Sequence, residues 1–465
     1  MIRIKILILV VLALLLRITF ALPVVIDPDR SVEPIPDARG YLLIAKNLLN
    51  GHGFSMSESH PYEPDYLRTP LYPLFIATIR KIFGQNPCYV VIIQIIISAF
   101  TPLIFLRSLK IIGFEENLSL IAAYLVAVSP LLSFLTALLL TETLFIALLF
   151  GSLACKKPLV RGLIMGMVAL VRPIAIFGPI LLAPFHKLKE LPKLVCGFVI
   201  VITPWVARNI LTSGKAKLST IDDVHLLFYH AAPVIAEAEG RDLYEVQDSL
   251  SNLATKEAED HGEPLFAVYR RVAIRSILSR PHRYLKLLII GSLANLIPFP
   301  LGHWTSYVTG QGTEELGIRK ALVEEIAITI SRLQIYKAFR LLWDQRLRFL
   351  GLSGMIGLIL LSSIELTFIL LAIAGIFILK KRRPILLLWI LYFLLLPGPY
   401  GHPRLRAPVE PLILIFTTAT ILFFLQKVRR PNLWKPRGET LGPGGHQNLS
   451  HQICHTSSKG GRGRI

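Results

Sequence analysis

Acidic and basic side chains recur where the apolar runs of this 465-residue sequence end. The carboxylates are Asp37, Glu63, Asp65 and Glu142, and the arginines are Arg68, Arg404 and Arg406. A carboxylate can accept the proton of an attacking hydroxyl group. Arginines can clamp a phosphate in bidentate fashion and offset the charge of a leaving group. Together, these residue types indicate a site that activates a hydroxyl and holds a phosphate.

Each of these residues also has a structural interpretation. Asp37 follows Pro36 at the start of a predicted helix, so it could simply cap that helix. Glu63 and Asp65 could be solvated, and Arg68, Arg404 and Arg406 could be exposed charges on loops. Glu142 lies between two apolar runs, where an ionisable group is costly without a partner, which favours function over an interfacial carboxylate.

No cofactor or metal ion is expected from the sequence. The twelve histidines are scattered and show no metal-ligand spacing. The four cysteines show no paired spacing, so we assign neither a disulfide framework nor a zinc site.

The elements that position these residues are predicted to be membrane helices. Hydrophobic residues make up 53% of the chain and charged residues only 17%, against about 25% in an average soluble protein. The net charge of +20 fits basic inner ends of membrane helices and contacts to lipid phosphates better than nucleic-acid binding.

Apolar runs of roughly 20 residues can cross a bilayer, and such runs recur along the chain. The candidates are residues 6–26, 88–106, 118–139, 141–155, 160–185, 192–206, 351–379, 384–397 and 409–426. We therefore predict an all-α polytopic bundle of about nine to twelve helices. The first run reads as a retained anchor rather than a signal peptide, with Arg17 packed between helices. The run 286–301 is predicted to be a partial or re-entrant segment.

The predicted membrane domain covers residues 1–426. Residues 27–69 would form an outer catalytic loop with juxtamembrane helices, and residues 207–285 an outer insert. Residues 427–465 carry eight basic residues and one acidic residue, and they read as a disordered cytoplasmic tail. The expected location is the cell membrane, with the site facing outside.

Several motifs occur in the order typical of one enzyme family. They are PDARGYLLIAKNLLNGHGFS (36–55), YLRTPLYPLFIATIRKIFG (66–84), SP (129–130), TETLF (141–145), RP (172–173), PWVARN (204–209) and HPRLRAPVEPLILI (402–415). The pattern resembles membrane glycosyltransferases of the C-type fold. It is most similar to prokaryotic relatives of the dolichyl-phosphate-mannose protein mannosyltransferases and of the lipid A aminoarabinose transferase.

The resemblance implies inverting transfer of a single sugar from a polyprenyl-phosphate donor, at the outer face. The acceptor would be a protein, a lipid or a glycan. The resemblance implies that Asp37 and Glu142 are catalytic, with Asp37 as the base or as the group that orients the acceptor. Arg68 matches a basic position thought to face the donor phosphate, and Arg404 and Arg406 match an arginine motif that contacts the phosphate or has a structural role. Ala38 and Leu67 stand where relatives carry further acidic residues, and Glu63 or Asp65 is expected to substitute for the one missing at Leu67.

Two other functions remain open from the sequence. A transporter or flippase of lipid-linked sugars would also be polytopic, although it usually shows related halves that are not visible here. A ligase that moves a whole glycan, like the O-antigen ligases, would share the phosphate-holding arginines. A topology map that places Asp37, Arg68, Glu142 and Arg404 on one face of the membrane would favour the transferase.

Overall fold

The structure is a computed structural model, and 79% of it is helical. It describes residues 2–32, 35–311, 329, 334–345, 347–399 and 401–429. Within these residues, β-type pairing is limited to one isolated bridge between Ser55 and Pro64. The predicted all-α class is confirmed.

The described residues up to Ser213 contain ten α-helices. They are α1 (Ile2–Ile26), α2 (Pro36–Leu49), α3 (Leu71–Phe83), α4 (Cys88–Ile112), α5 (Glu116–Val128), α6 (Pro130–Thr136), α7 (Glu142–Leu153), α8 (Pro158–Val171), α9 (Gly178–Leu182) and α10 (Leu191–Ser213).

A helical insert follows, and the chain then returns to apolar helices. The insert consists of α11 (Ile221–His225), a π-helical turn (Leu226–Ala231), α12 (Ala232–Glu239), α13 (Leu243–His261) and α14 (Leu265–Leu278). The remaining described helices are α15 (Pro281–Ala294), α16 (Leu301–Thr309), α17 (Ile335–Gln345), α18 (Gly351–Ile378), α19 (Arg383–Leu395) and α20 (Glu410–Arg429).

Among the described residues, five helices are long and apolar enough to cross a membrane: α1, α4, α10, α18 and α20. Helices α5 and α6 together would make a sixth span, bent by 49°. Helices α7, α8 and α19 and the segment Pro173–Phe185 are apolar but shorter. The chain is a polytopic membrane protein, and the predicted number of about nine to twelve spans is reached only if the shorter helices count.

Three features of the bundle relate to the sequence predictions: the contacts of Arg17, the length of α15 and the course of residues 160–185. Arg17 is packed between helices as predicted, since it donates hydrogen bonds to Ser98 of α4 and to the carbonyl of Ala127 in α5. Helix α15 ends after 14 residues, which is too short for a complete span and agrees with a partial segment. The run 160–185 is broken at Arg172. Parts of the region 302–350 and residues 430–465 of the predicted tail lie outside the described residues.

Helices α8 and α10 approach each other very closely. A Cβ atom at Gly162 would lie 2.0 Å from the carbonyl oxygen of Leu194, and one at Gly197 would lie 2.3 Å from that of Leu159. Only glycine allows this approach of the two backbones. The contact fixes the direction of α8 and therefore the position of Arg172 at its end.

The insert has a hydrophobic core of its own. Buried apolar residues from the π-helical turn, α12, α13 and α14 form one cluster, separate from the core of the membrane helices. The predicted outer insert, residues 207–285, is therefore a small helical unit within the compact part of the chain that ends at Phe423.

Candidate functional site

Five charged side chains from five separate parts of the sequence form one continuous chain of ion pairs. Arg68 Nη2 donates to Asp37 Oδ1 at 2.8 Å, and Arg404 Nη2 donates to Asp37 Oδ2 at 2.9 Å. Arg404 Nε and Arg172 Nη1 both donate to Glu142 Oε1, at 2.6 and 2.8 Å. We call these residues the five-residue cluster. It brings together four of the residues singled out from the sequence: Asp37, Arg68, Glu142 and Arg404.

Asp37 lies in the first turn of α2, but it does not cap the helix. The N-cap residue is Ile35, and no side chain makes a capping hydrogen bond there. Both carboxylate oxygens of Asp37 instead accept hydrogen bonds from arginines. The positive end of the helix dipole further favours an ionised carboxylate at this position. The capping interpretation of Asp37 is therefore not supported.

Arg68 is held in the outer loop by its neighbours. Its backbone N–H donates to the Asp65 carboxylate at 2.8 Å. The next residue, Thr69, donates its hydroxyl to the carbonyl of Val171 at 3.0 Å, which ties this loop to the end of α8. The guanidinium lies 5.0 Å from the centre of the Tyr41 ring, a distance typical of a cation–π contact. These contacts direct the guanidinium toward Asp37.

Glu142 and Arg172 form the buried end of the cluster. Glu142 is the first residue of α7, and its side chain is 1% exposed. Arg172 ends α8 with an extended backbone, φ −142° and ψ 123°, as expected for a residue before proline. This conformation turns the side chain away from the helix axis. In the sequence, Arg172 is prominent only as part of the RP motif (172–173) and is not a candidate site residue, although an Arg-Pro pair between two apolar helices is a usable signal.

Arg404 and Arg406 belong to a short 3-10 helix, Pro403–Arg406. The start of this turn is fixed by Asn295, which accepts the His402 N–H at 2.8 Å and donates to the carbonyl of Leu394. A 3-10 helix has three residues per turn, so side chains two positions apart point in different directions. Arg404 therefore reaches Asp37 and Glu142, whereas Arg406 points elsewhere.

Arg406 was expected at the donor phosphate, and the structure places it in another ion cluster. Its side chain is fully buried, and so are those of Glu365 and Glu410, its two ion-pair partners. It also donates to the carbonyls of Ile297 and Pro298. All its nitrogens are thus engaged by the protein, so Arg406 links α18, α20 and the loop before α16. Because its side chain is fully buried among these partners, Arg406 does not face the five-residue cluster.

Glu63 and Asp65 were expected as substitutes for a second acidic residue. Glu63 is exposed. Asp65 holds the backbone of Arg68 through its carboxylate, and burial raises the pKa of that carboxyl. Asp65 therefore positions Arg68 in the structure, and neither residue makes an ion pair with the cluster among the described contacts.

The five-residue cluster carries an excess of positive charge, since three guanidinium groups meet two carboxylates. The side chains of Asp37, Arg68 and Arg404 are 30%, 16% and 14% exposed, so this part of the cluster is open to solvent. Within the described residues, the buried Nε of Arg68 has no hydrogen-bond partner. An anion with several acceptor oxygens, such as a phosphate, would satisfy both the charge and this donor.

The electrostatics of Asp37 combine two opposing effects. Burial by itself raises the pKa of the carboxyl, but the guanidinium groups of Arg68 and Arg404 outweigh it and hold the pKa well below the usual range. Asp37 is therefore ionised at any physiological pH. While both arginines remain paired with it, the carboxylate is only a weak base.

His225 of the insert faces the cluster and was not singled out from the sequence. Ser219 and Thr220 donate their hydroxyls to the carbonyls of Leu67 and Tyr66, directly before Arg68. Burial, the neighbouring His230 and the cluster arginines Arg68 and Arg172 outweigh the opposite effect of Asp37 and lower the pKa of His225 to about 4, so its imidazole is neutral at pH 7. The insert thus covers the side of the cluster on which Arg68 lies.

Among the described residues, no three histidine, cysteine, aspartate or glutamate side chains lie close enough together to hold a metal ion. The two carboxylates of the cluster are both engaged by arginines instead.

No protein-family model matches the sequence, and no curated protein matches it. Among solved structures, the apo crystal structure of the Archaeoglobus fulgidus oligosaccharyltransferase is similar, with a TM-score of 0.44 and 12% identity over 92% of this chain and 51% of that chain. An archaeal oligosaccharyltransferase from Archaeoglobus fulgidus, in complex with an inhibitory peptide and a dolichol-phosphate, has a TM-score of 0.40 and 14% identity over 93% and 52% of the two chains. This chain spans about half the length of those chains.

Proposed function

We propose that this protein is a membrane glycosyltransferase that moves a single sugar from a polyprenyl-phosphate donor to a hydroxyl group of an acceptor, with inversion at the anomeric carbon. The observation that carries the proposal is the sharing of Asp37 between Arg68 and Arg404 at 2.8 and 2.9 Å. A potential base and two phosphate-binding groups thus lie in direct contact, beside apolar helices suited to a lipid chain.

In the proposed reaction, Arg68 and Arg404 bind the donor phosphate. The acceptor oxygen attacks the anomeric carbon, the bond between that carbon and the phosphate oxygen breaks, and the polyprenyl phosphate leaves with the bonding electrons. Asp37 accepts the proton of the attacking hydroxyl. The guanidinium groups offset the charge that develops on the leaving phosphate.

Donor binding would also activate the base. In the free protein both oxygens of Asp37 are paired with arginines, which keeps its basicity low. When Arg68 and Arg404 share their hydrogen bonds with a phosphate, the carboxylate is less strongly stabilised and its pKa rises. Asp37 would therefore become an effective base only with the donor in place.

Glu142 and Arg172 would position Arg404 rather than touch the substrate. Glu142 Oε1 accepts hydrogen bonds from both arginines, at 2.6 and 2.8 Å, and is almost fully buried. The insert would lie on the acceptor side, because it is attached to the loop that carries Arg68. We propose that the site faces outside, as expected from the basic residues at the opposite helix ends.

The test uses purified protein in lipid nanodiscs with two sets of radiolabelled donors. One set contains polyprenyl-phosphate monosaccharides, and the other contains lipid-pyrophosphate oligosaccharides. Each is offered with peptide, lipid and glycan acceptors, and donor consumption is followed for wild type and for Asp37→Asn. Glu63→Gln is the matched control, because it removes an exposed carboxylate of the same loop.

Consumption of a monosaccharide donor that is lost in Asp37→Asn and kept in Glu63→Gln would support the proposal. Consumption of only the oligosaccharide donors would replace it with whole-glycan transfer. If no donor is consumed by folded protein, but the same lipids cross the bilayer of proteoliposomes, the flippase function would stand instead.

A further inference from the structure

A cavity of about 330 Å³ lies at the end of the helix bundle that is remote from the five-residue cluster. Its wall includes Arg161, which donates to the carbonyls of Ser152 and Leu153 in the last turn of α7. Glu142 begins the same helix, which has 12 residues and is therefore about 18 Å long. The cavity is thus a separate site, and its volume lies within the range of small-molecule pockets.

Some of the polar groups that line the cavity satisfy one another. Arg161 Nη1 lies 2.9 Å from His186 Nε2, and His186 Nδ1 lies 3.1 Å from a carboxylate oxygen of Glu190. The other nitrogens of Arg161 donate to backbone carbonyls. Glu190, the one acidic residue that lines the cavity, is thus paired with the His186 imidazole. Arg161, His186 and Glu190 therefore support the wall of the cavity and do not bind a ligand.

Two further cations line the same cavity, Lys187 and Arg382. Among the described hydrogen bonds and ion pairs, none involves the Lys187 ammonium or the Arg382 guanidinium. Arg382 is also the one non-glycine residue of the described chain with a positive φ, at 60°. Such a conformation costs about 1 kcal/mol or more and is often retained at functional sites. The backbone is strained here at a residue that places an unpaired cation in a cavity.

The surroundings of the cavity match a membrane surface. Ile112 and Phe185 contribute apolar wall, and Leu188, the residue after Lys187, is 83% exposed. Other basic residues crowd this end of the bundle, among them Lys156, Lys157, Lys189 and Lys193. Basic residues at helix ends mark the cytoplasmic face, where the lipids are anionic.

We propose that this cavity binds the phosphate headgroup of an anionic phospholipid from the cytoplasmic leaflet. Lys187 and Arg382 pair with the phosphate, while the acyl chains run along the exposed apolar surface that includes Leu188. A cavity with two cations that form no ion pair among the described residues, a paired acidic group and an apolar rim fits a phosphate with attached hydrocarbon. The inference does not depend on the glycosyltransferase proposal, because the two sites lie at opposite ends of the bundle.

The test measures the binding of short-chain phosphatidylglycerol to the full-length protein in neutral detergent, by its shift of the thermal unfolding temperature. Short-chain phosphatidylcholine and inorganic phosphate serve as separate probes. The variant is the double substitution Lys187→Gln and Arg382→Gln. The control variant, Lys189→Gln and Lys193→Gln, removes two charges from the same end of the bundle but outside the cavity. All four side chains are on the surface, so the variants should fold.

We expect phosphatidylglycerol, and not phosphatidylcholine, to stabilise the wild-type protein. The cavity variant should bind about thirtyfold more weakly, since each basic residue near an anionic lipid contributes about fivefold. The control should bind within about twofold of wild type. Equal weakening in both variants would overturn the proposal in favour of general surface electrostatics. Equal stabilisation by inorganic phosphate would show that the cavity binds free phosphate and not a lipid.

Discussion

At the scale of single residues, the site depends on one carboxylate that two arginines share. Asp37 is partly open to solvent, whereas Glu142, at the other end of the chain of ion pairs, is buried. Arg404 connects the two, because its Nε and Nη2 atoms pair with different carboxylates. The buried pair fixes the guanidinium, and the open pair leaves it available to a substrate.

Arg404 and Arg406 differ by two positions and should differ in function. Arg404→Met removes a phosphate donor from a partly open site, so we expect turnover to fall by about 10²- to 10³-fold while the protein remains folded. Arg406→Met leaves Glu365 and Glu410 buried without their cation, which costs about 3–5 kcal/mol of folding stability. Donor turnover and thermal unfolding of both variants separate the two roles. Comparable loss of stability in both would contradict this assignment.

The pH dependence of the reaction should show whether donor binding raises the pKa of Asp37. In the free enzyme the pKa of Asp37 lies below its usual range, so the acid limb of kcat/KM should lie below about pH 4. In the enzyme–donor complex the arginines are shared with phosphate, so the acid limb of kcat should lie at higher pH. Initial rates between pH 3.5 and 8 should therefore show an acid limb for kcat and none for kcat/KM. Identical limbs would show that the donor does not change the base.

At the scale of elements, each side chain of the cluster is directed by a local backbone feature. A residue before proline turns Arg172 out of α8, and a 3-10 turn sends Arg404 and Arg406 apart. The hydroxyls of Ser219 and Thr220 attach the insert to the loop of Arg68. The positions of the apolar helices could be predicted from hydropathy, because length and composition decide whether a segment enters a membrane.

The directions of individual side chains could not be predicted in this way. Arg172 and Glu142 are 30 residues apart, and Arg404 follows Glu142 by 262. Hydropathy carries no information on which helix ends meet. The order of motifs indicated that Asp37, Arg68, Glu142 and Arg404 belong to one site, and the structure brings them together. The same reasoning also placed Arg406 in this site. The order of motifs could not show that Arg406 is buried, because its burial depends on an ion pair with Glu365, which is distant in the sequence.

The insert should lose stability when the pH falls below about 6.5. Burial lowers the pKa values of His225 and His230 to about 4, so the unfolded state binds protons that the folded state does not. The free energy of local unfolding should therefore decrease between pH 6.5 and 4, by on the order of 1–3 kcal/mol for each histidine. Asp37, Arg68 and Arg172 also act on His225.

Hydrogen exchange of the insert, measured at pH 7 and pH 5, tests this expectation. The variant with both His225→Gln and His230→Gln should lose most of the difference between the two pH values. An equal change in the wild type and this variant would assign the effect to other groups. Exchange of α4, in the membrane core, provides the internal reference.

At the scale of the whole molecule, the proposed function predicts that the two ends of the bundle face different compartments. Glu63 lies in the loop of the five-residue cluster, and Lys189 is close in sequence to Lys187, which lines the cavity at the basic end. With the native cysteines replaced by serine, a Glu63→Cys variant should react with a membrane-impermeant maleimide in intact cells. A Lys189→Cys variant should react only after permeabilisation. Labelling of both variants from the same side would contradict the proposed orientation.

In the proposed mechanism, Asp37 is the base in a reaction whose leaving group is held by Arg68 and Arg404. Its most direct test is a paired measurement, of donor affinity and of the rate of sugar transfer, for wild type and Asp37→Asn in the same nanodiscs. We expect Asp37→Asn to bind the polyprenyl-phosphate sugar at least as tightly as wild type, because Arg68 and Arg404 lose the ion pairs with Asp37 that compete with the phosphate. The transfer rate should fall by about 10²- to 10⁴-fold. Transfer at the wild-type rate by the folded variant would show that Asp37 is not the base.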